Sequence, residues 1–304
     1  MDGKRGEKKM NALFQAVMDE WAPMYDVAVI TEKGTEYWQH PCANNANNGH
    51  STTKFFIATA IGILCDRGLL TTDTTIGSLF PDSEKPDDYD IGWDSVTVRH
   101  TLQHKTGIET VPYGVDDDGS APNIGGDFLK YVLSLKIDHE PGTFYRYSDE
   151  AYYLLSRVIA QISGQTADVF LKENVFDPLG FRQWALAKCP QGHPIAGGGF
   201  FARSDDAAKL AYTYAMNGVY EGRRIISEEW IDMAMANDFA CTRFRDTDIF
   251  LKTGARGQCV AFSRERPSAA AWHGCAPPDD EGKRNDRLLL GYLRYLDDHF
   301  GSIQ

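Results

Sequence analysis

The chain lacks several features that would announce a function early. Its six cysteines (Cys42, Cys65, Cys189, Cys241, Cys259, Cys275) contain no Cys-x-x-Cys spacing. Neither a zinc site nor a disulfide framework is therefore expected, and the thiols are read as free, several of them in the core. Positive charge is in deficit, with 31 Lys+Arg against 43 Asp+Glu and a net charge of −12. That balance disfavours nucleic acid or an anionic membrane surface as partner. The apolar stretch 57–64 is far shorter than the ~20 residues a spanning helix needs. No repeat, low-complexity tract or signal-peptide core appears, so the expected setting is the cytoplasm. His100 and His104 are four apart and could share a helix face, but no third ligand is evident beside them, so a metal pair is disfavoured.

What remains is an ordinary globular mixture. The chain has 304 residues, 42% hydrophobic and 24% charged, enough for a full core in one or two units. Helical patterns cover 10–21, 51–67, 96–104 (with Ser95 as cap), 127–135, 149–163 (closed by Gly164), 167–175, 204–216, 227–236 and 285–300. Strand-like runs cover 25–30 and 35–40 around a Glu32-Lys33-Gly34 turn, then 250–253, 258–263 and 269–273. Residues 113–126, rich in Asp and Gly, are expected to form an exposed loop. Strands thus lie at both ends and helices fill the middle. The fold class expected is α/β (α+β): an antiparallel sheet drawn from both termini, flanked by helices, with a mostly helical insert. Residues 1–75 and 205–304 are expected to make the sheet subdomain and 76–204 the helical one, in one compact unit.

Three motifs carry candidate chemistry. Ser51-Thr52-Thr53-Lys54 is the only Ser-x-x-Lys in the chain and precedes the apolar run 55–65. Residues three apart share a helix face, so the Lys54 amine can reach the Ser51 hydroxyl. At a helix start the Ser51 N–H lacks an internal partner and can point at a developing oxyanion. Helix dipole and apolar surroundings are expected to lower the Lys54 pKa towards that of a working base. Tyr147-Ser148-Asp149 sits at a turn before a helix, where a phenol can shuttle a proton if cations lie near. Lys252-Thr253-Gly254-Ala255 reads as a strand edge lining a pocket: a charge, a hydroxyl, a residue permitting close backbone approach, and a second N–H donor. A second Lys-Thr-Gly, at 105–107, follows a helix and precedes the Tyr motif, and is set aside. His273-Gly274 is set aside too, as part of the sheet.

Ser-x-x-Lys, then Tyr-x-Asn, then Lys-Thr-Gly, in this order, resembles the serine β-lactamase and penicillin-binding protein superfamily, most nearly its class C β-lactamase, D-alanyl-D-alanine carboxypeptidase and esterase-like branch. The helix ending near 61–70, Leu102-Gln103-His104-Lys105-Thr106-Gly107-Ile108, Phe176-Asp177-Pro178-Leu179-Gly180-Phe181, the Gly-rich segment 197–211 and the strand pair 252–265 extend the likeness along most of the chain. The resemblance implies a β-lactamase/transpeptidase-like fold and Ser51 as acylated nucleophile. Lys54 and Tyr147 would share base and acid duty, with Lys252 lowering the tyrosine pKa and binding a substrate carboxylate. The Ser51 and Ala255 N–H groups would form the oxyanion hole. Substrates would be small molecules (esters, amides or D-amino-acid peptides), and the resemblance implies no metal or organic cofactor. Asp149 stands where the family has Asn. A carboxylate cannot donate to a substrate carbonyl. It is expected to raise the pKa of both Lys54 and Lys252, or to receive a substrate amine.

Overall fold

The computed structural model describes residues 11–19, 24–110, 126–277 and 279–302. The expected loop 113–126 lies, but for Gly126, outside them, as do both ends of the expected helix 10–21. The chain opens with α1 (Ala12–Met18), β1 (Met24–Thr31), β2 (Gly34–Gln39) and β3 (Asn47–Asn48). Then come α2 (Thr53–Asp66), α3 (Ile76–Leu79), α4 (Val98–Leu102), α5 (Phe128–Leu133), α6 (Asp149–Ser163) and α7 (Ala167–Leu171). After β4 (Trp184–Leu186) and β5 (Phe200–Ala202) come α8 (Ser204–Ala215), β6 (Val219–Tyr220), β7 (Arg223–Arg224) and α9 (Glu228–Ala236). The chain closes with β8 (Thr242–Arg243), β9 (Ile249–Gly254), β10 (Gln258–Ser263), β11 (Ser268–Gly274) and α10 (Glu281–Phe300).

The main sheet is antiparallel, in the order β2-β1-β11-β10-β9-β8, so the amino-terminal hairpin docks on carboxy-terminal strands. Helices cover both faces. Along β1, Val27 and Val29 face the layer of α1 and α10, while Ala28 and Ile30 face the core that holds α2 and α8. This two-sided burial explains why the strands read as continuous apolar runs rather than alternating ones. On β11, Ala269 and Ala271 face the same core as α8 and let it lie close against the sheet. α2 is buried at every position from Thr53 to Leu64, the signature of a helix enclosed on all sides. Among the described residues no helix is long and apolar enough to cross a membrane.

Local chemistry sets the helix ends. Ser148 accepts from the Ala151 N–H at the start of α6, and Gly164, at φ 72°, closes it in the left-handed region. Ser227 caps α9 by accepting from Trp230, and its own N–H and hydroxyl donate to Asp66 at 2.7 and 2.6 Å. The helix expected over 96–104 is shorter and starts later, because Val96 and Thr97 are tied to the 74–76 segment by backbone bonds. Thr97, not Ser95, is its cap, and His104, at φ 57°, lies beyond its end. The pattern over 167–175 is α-helical only to Leu171 and continues as a wider π turn. The short strands β3, β4, β5, β6, β7 and β8 carry too few residues for a periodic signal.

Candidate active site

The Ser51 turn is built by its neighbours. Ser51 lies not in the first turn of α2 but in a 3-10 turn just ahead of it, His50–Thr52. Preceding it, His50 has φ 47°, a conformation unfavourable for a non-glycine residue. Its N–H donates to the Asn48 side chain at 2.9 Å. The Thr53 hydroxyl donates to the His50 carbonyl at 2.6 Å and accepts from the Phe200 N–H at 3.1 Å. Those bonds tie the turn to β5, a strand with no visible sequence pattern.

The spacing inferred for Ser51 and Lys54 holds despite that shift. Lys54 Nζ donates to Ser51 Oγ at 3.1 Å. It also meets Asp149 Oδ1 at 2.5 Å and the Gly197 carbonyl. Lys54 is fully buried and Ser51 nearly so. Burial alone would push the ammonium down, but the Asp149 carboxylate, with Tyr147, more than offsets this, and the Lys54 pKa is raised. The expectation of a lowered Lys54 pKa was wrong: dipole and apolar walls are weaker than a carboxylate in contact. Asp149 is itself buried and packs against Gly197, where a Cβ would fall 2.6 Å from the Asp149 Cβ and 2.7 Å from its carboxyl carbon. Gly197 thus permits the approach that brings carbonyl and carboxylate to one amine.

Tyr147 lies between two lysines. Lys54 Nζ is 4.7 Å and Lys252 Nζ 5.0 Å from its ring centre. His104 stacks on the same ring, with centres 4.4 Å apart and planes at 29°. Its Nδ1 accepts from the Ser148 N–H at 3.2 Å. Burial, with the charges of Lys54 and Lys252, holds this imidazole well below the usual histidine range, so it is neutral. Sequence reasoning missed His104 and Gly197 as parts of the site. His104 sits beside the discarded Lys-Thr-Gly copy, and Gly197 opens the Gly-Gly-Gly run; both signals were present but not assigned. The Nδ1 atoms of His100 and His104 each accept a backbone N–H, and no group of three or more His, Cys, Asp or Glu placed to hold a metal occurs among the described residues.

The third motif comes from β9. Gly254 passes so close to the Ser51 turn that a Cβ there would lie 2.2 Å from the Gly49 carbonyl oxygen and 3.0 Å from the Ser51 nitrogen. Glycine is required by this contact, not by its φ. Ser51, Tyr147, Lys252, Thr253, Gly254 and Ala255 line one cleft of about 520 Å³, bounded further by Arg243, Arg245 and the start of α10. A smaller hollow of about 210 Å³ shares Tyr147, Lys252 and Thr253 and is closed by Gln103, Tyr145 and Asp238. Burial and the Lys54 charge push the Lys252 pKa down to about 7, with Asp149 only partly opposing. Asp149 was expected to raise both amines; it acts upward on both, but prevails only at Lys54, which it touches, and is outweighed at Lys252 by burial and the Lys54 charge. The set-aside His273 is buried in β11 against Asp26, at 2.8 Å. No disulfide forms among the described residues, and Cys189, Cys241 and Cys259 are buried thiols.

All eight expected site residues, far apart in sequence, therefore converge on this cleft or, for Lys54 and Asp149, lie directly behind it. Comparison with known proteins gives the same fold. The Beta-lactamase family model matches residues 48–291. Penicillin-binding protein 4 of Amycolatopsis lactamdurans is 29% identical over 136 residues, 44% of this chain and 34% of that protein. The chain spans less than half the length of the curated relatives it matches. A penicillin-binding protein homolog from Caulobacter crescentus superposes with a TM-score of 0.72 at 18% identity, covering 93% of this chain and 95% of that one. A D-stereospecific amidohydrolase from Streptomyces sp. gives 0.67 at 15%, covering 96% and 99%.

Proposed function

The chain belongs to the β-lactamase family, and on that premise we propose that it is a serine hydrolase forming an acyl-enzyme at Ser51 on a small ester or amide. The observation that carries this reading is the Ser51 hydroxyl held 3.1 Å from a buried amine, at the mouth of a cleft it shares with Tyr147 and Lys252. In the proposed mechanism Ser51 Oγ attacks the substrate carbonyl carbon as its proton passes to the amine and phenol cluster. The oxygen that becomes negative is received by the N–H groups of Ser51 and Ala255, with the close Gly254 contact fixing their separation. Collapse returns the proton to the leaving alcohol or amine. Water then releases the acyl group by the same steps in reverse.

An ester or amide, including a D-amino-acid peptide, is favoured over a β-lactam. Asp149 offers no amide donor to a substrate carbonyl, and its carboxylate is committed to Lys54. The same ion pair supports a second reading, a protein that is acylated and then turns over poorly, because a fixed ammonium beside Ser51 does not activate a deacylating water. Intact-mass measurement after incubation with a fluorophosphonate and, separately, a penicillin distinguishes the two. Rapid ester turnover with a fluorophosphonate adduct supports the hydrolase. Stable adducts from both reagents without product support the slow binder. A Ser51→Ala variant that keeps full turnover of every ester tested would end both readings.

A further inference from the structure

Two amines flank one phenol ring, Lys54 fully buried and Lys252 half-buried at the wall of the cleft, and they are not equivalent. Lys54 has a carboxylate at 2.5 Å and a backbone carbonyl in contact. Lys252 has no carboxylate at ion-pair distance among the described residues. The groups facing it are Lys54, Tyr147 and His104, the thiols of Cys241 and Cys259, and Asp149 beyond Lys54. Two positive charges cannot both persist so close together away from water. The amine with the counter-ion keeps its charge, and the other loses it.

We propose that Asp149 divides the work of the two lysines: it keeps Lys54 as a fixed, charged hydrogen-bond donor to Ser51 and leaves Lys252 as the amine that takes and returns the proton. Asp149 is then a positioning residue acting through Lys54, which is why a carboxylate can occupy a position where the family has an amide. The inference rests on the reading of Ser51 as nucleophile. As the Ser51 Oγ–carbon bond forms, the carbonyl π pair moves to oxygen and the Ser51 proton passes by way of the Tyr147 hydroxyl to the neutral Lys252 amine, giving an ammonium. When the bond to the leaving group breaks, that group takes the departing electron pair, and the proton returns along the same route to it. Lys54 gains and loses nothing. The lowered pKa of Lys252, against the raised one of Lys54, accords with this division.

The test reads the two amines separately in the full chain. With 13C at lysine Cε, NMR should show one buried lysine titrating at about 7. That signal should vanish in Lys252→Gln and remain in Lys54→Met, moved to higher pH by loss of the Lys54 charge, which identifies it even if one variant folds poorly. The rate of Ser51 labelling by a fluorophosphonate should rise with pH through the same midpoint. In Asp149→Asn the rise should move to lower pH and split in two, because two unneutralised amines titrate as a coupled pair. In Lys252→Gln it should disappear, with labelling slowed by about 10²–10⁴-fold. A near-neutral titration belonging to Lys54, or an Asp149→Asn profile identical to that of the wild type, overturns the proposal. If the wild-type protein is not labelled at any pH, the hydrolase reading fails, while the NMR titration still decides how the charge is divided.

Discussion

The hairpin of β9 and β10 has a charged cluster at each end, and the two are built on opposite rules. At the Asp248 end the one cation, Arg266, is paired with two carboxylates. Arg266 Nε donates to Asp248 at 2.9 Å and Nη1 to Asp297 at 2.7 Å, and Nη2 and the Ser263 hydroxyl also meet Asp248. At the Lys252 end two amines share one carboxylate, and the residues around them include backbone conformations uncommon for side-chain-bearing residues, at His50, His104 and Arg256. Matched buried charges hold a fold in one arrangement. Unmatched ones cost stability and yield groups that change charge at useful pH. The difference marks one end as structural and the other as chemical.

The largest expected effect breaks the chemical end outright. Ser51→Ala should lower ester turnover by about 10³-fold or more, and Lys54→Met should cost nearly as much, because residues acting as a unit lose activity together. Steady-state kinetics on a p-nitrophenyl ester checks both. Gly254→Ala comes next. Its methyl would collide with the Gly49 carbonyl and press on the Ser51 nitrogen, so the turn must shift. Turnover should fall by about 10²-fold, since small misplacements at a reacting centre carry penalties of that order.

The structural end should answer to stability instead. Asp248→Asn leaves Arg266 half-paired and should destabilise the fold by about 2–4 kcal/mol, with kcat per folded molecule unchanged. Burial opposes ionisation of Asp248, but its bonds to Arg266 and Ser263 prevail and its pKa is lowered. Its contribution is therefore present above the ordinary carboxylate value of about 4 and lost as pH falls through its folded value. Urea titrations across that range should show a steeper acid loss in the wild type than in Asp248→Asn.

How far these contrasts were legible in the sequence follows from their range. α6 and its Gly164 stop, the strands β9, β10 and β11, and the Ser51, Tyr147 and Lys252 motifs each depend on local chemistry: caps, apolar runs and fixed spacing. The fate of Asp149 was not legible. Whether its carboxylate would meet one lysine, both, or a substrate depended on Gly197, nearly fifty residues further on, leaving room for it. The Lys54 and Lys252 pKa values have the same origin, since two amines in similar apolar walls are told apart only by which one the carboxylate touches. His104 was weighed only as half of a histidine pair and as part of the 102–108 segment, because its place at the site comes from stacking on Tyr147, a contact that no fixed spacing sets.

The smallest effect sharpens the comparison with a change of sign. Lys252 has a folded pKa of about 7, below its ordinary value of 10.5. Between these values the unfolded chain binds a proton that the folded chain does not, so the penalty is full below the folded value and is relieved as pH rises. Lys252→Met, besides slowing acylation as Lys252→Gln does, should therefore raise stability near neutral pH by about 1–2 kcal/mol, with the gain shrinking towards alkaline pH in thermal melts.

The central claim is that Ser51 is the atom source of a covalent intermediate in this cleft. Rapid acid quench of the protein with a p-nitrophenyl ester, followed by mass analysis of the peptide containing Ser51, tests it most directly. The account predicts one acyl group on Ser51, formed on the timescale of the first turnover and absent from Ser51→Ala. Turnover of the ester with no acylated Ser51, or an acyl group on another side chain at the same rate, would contradict it.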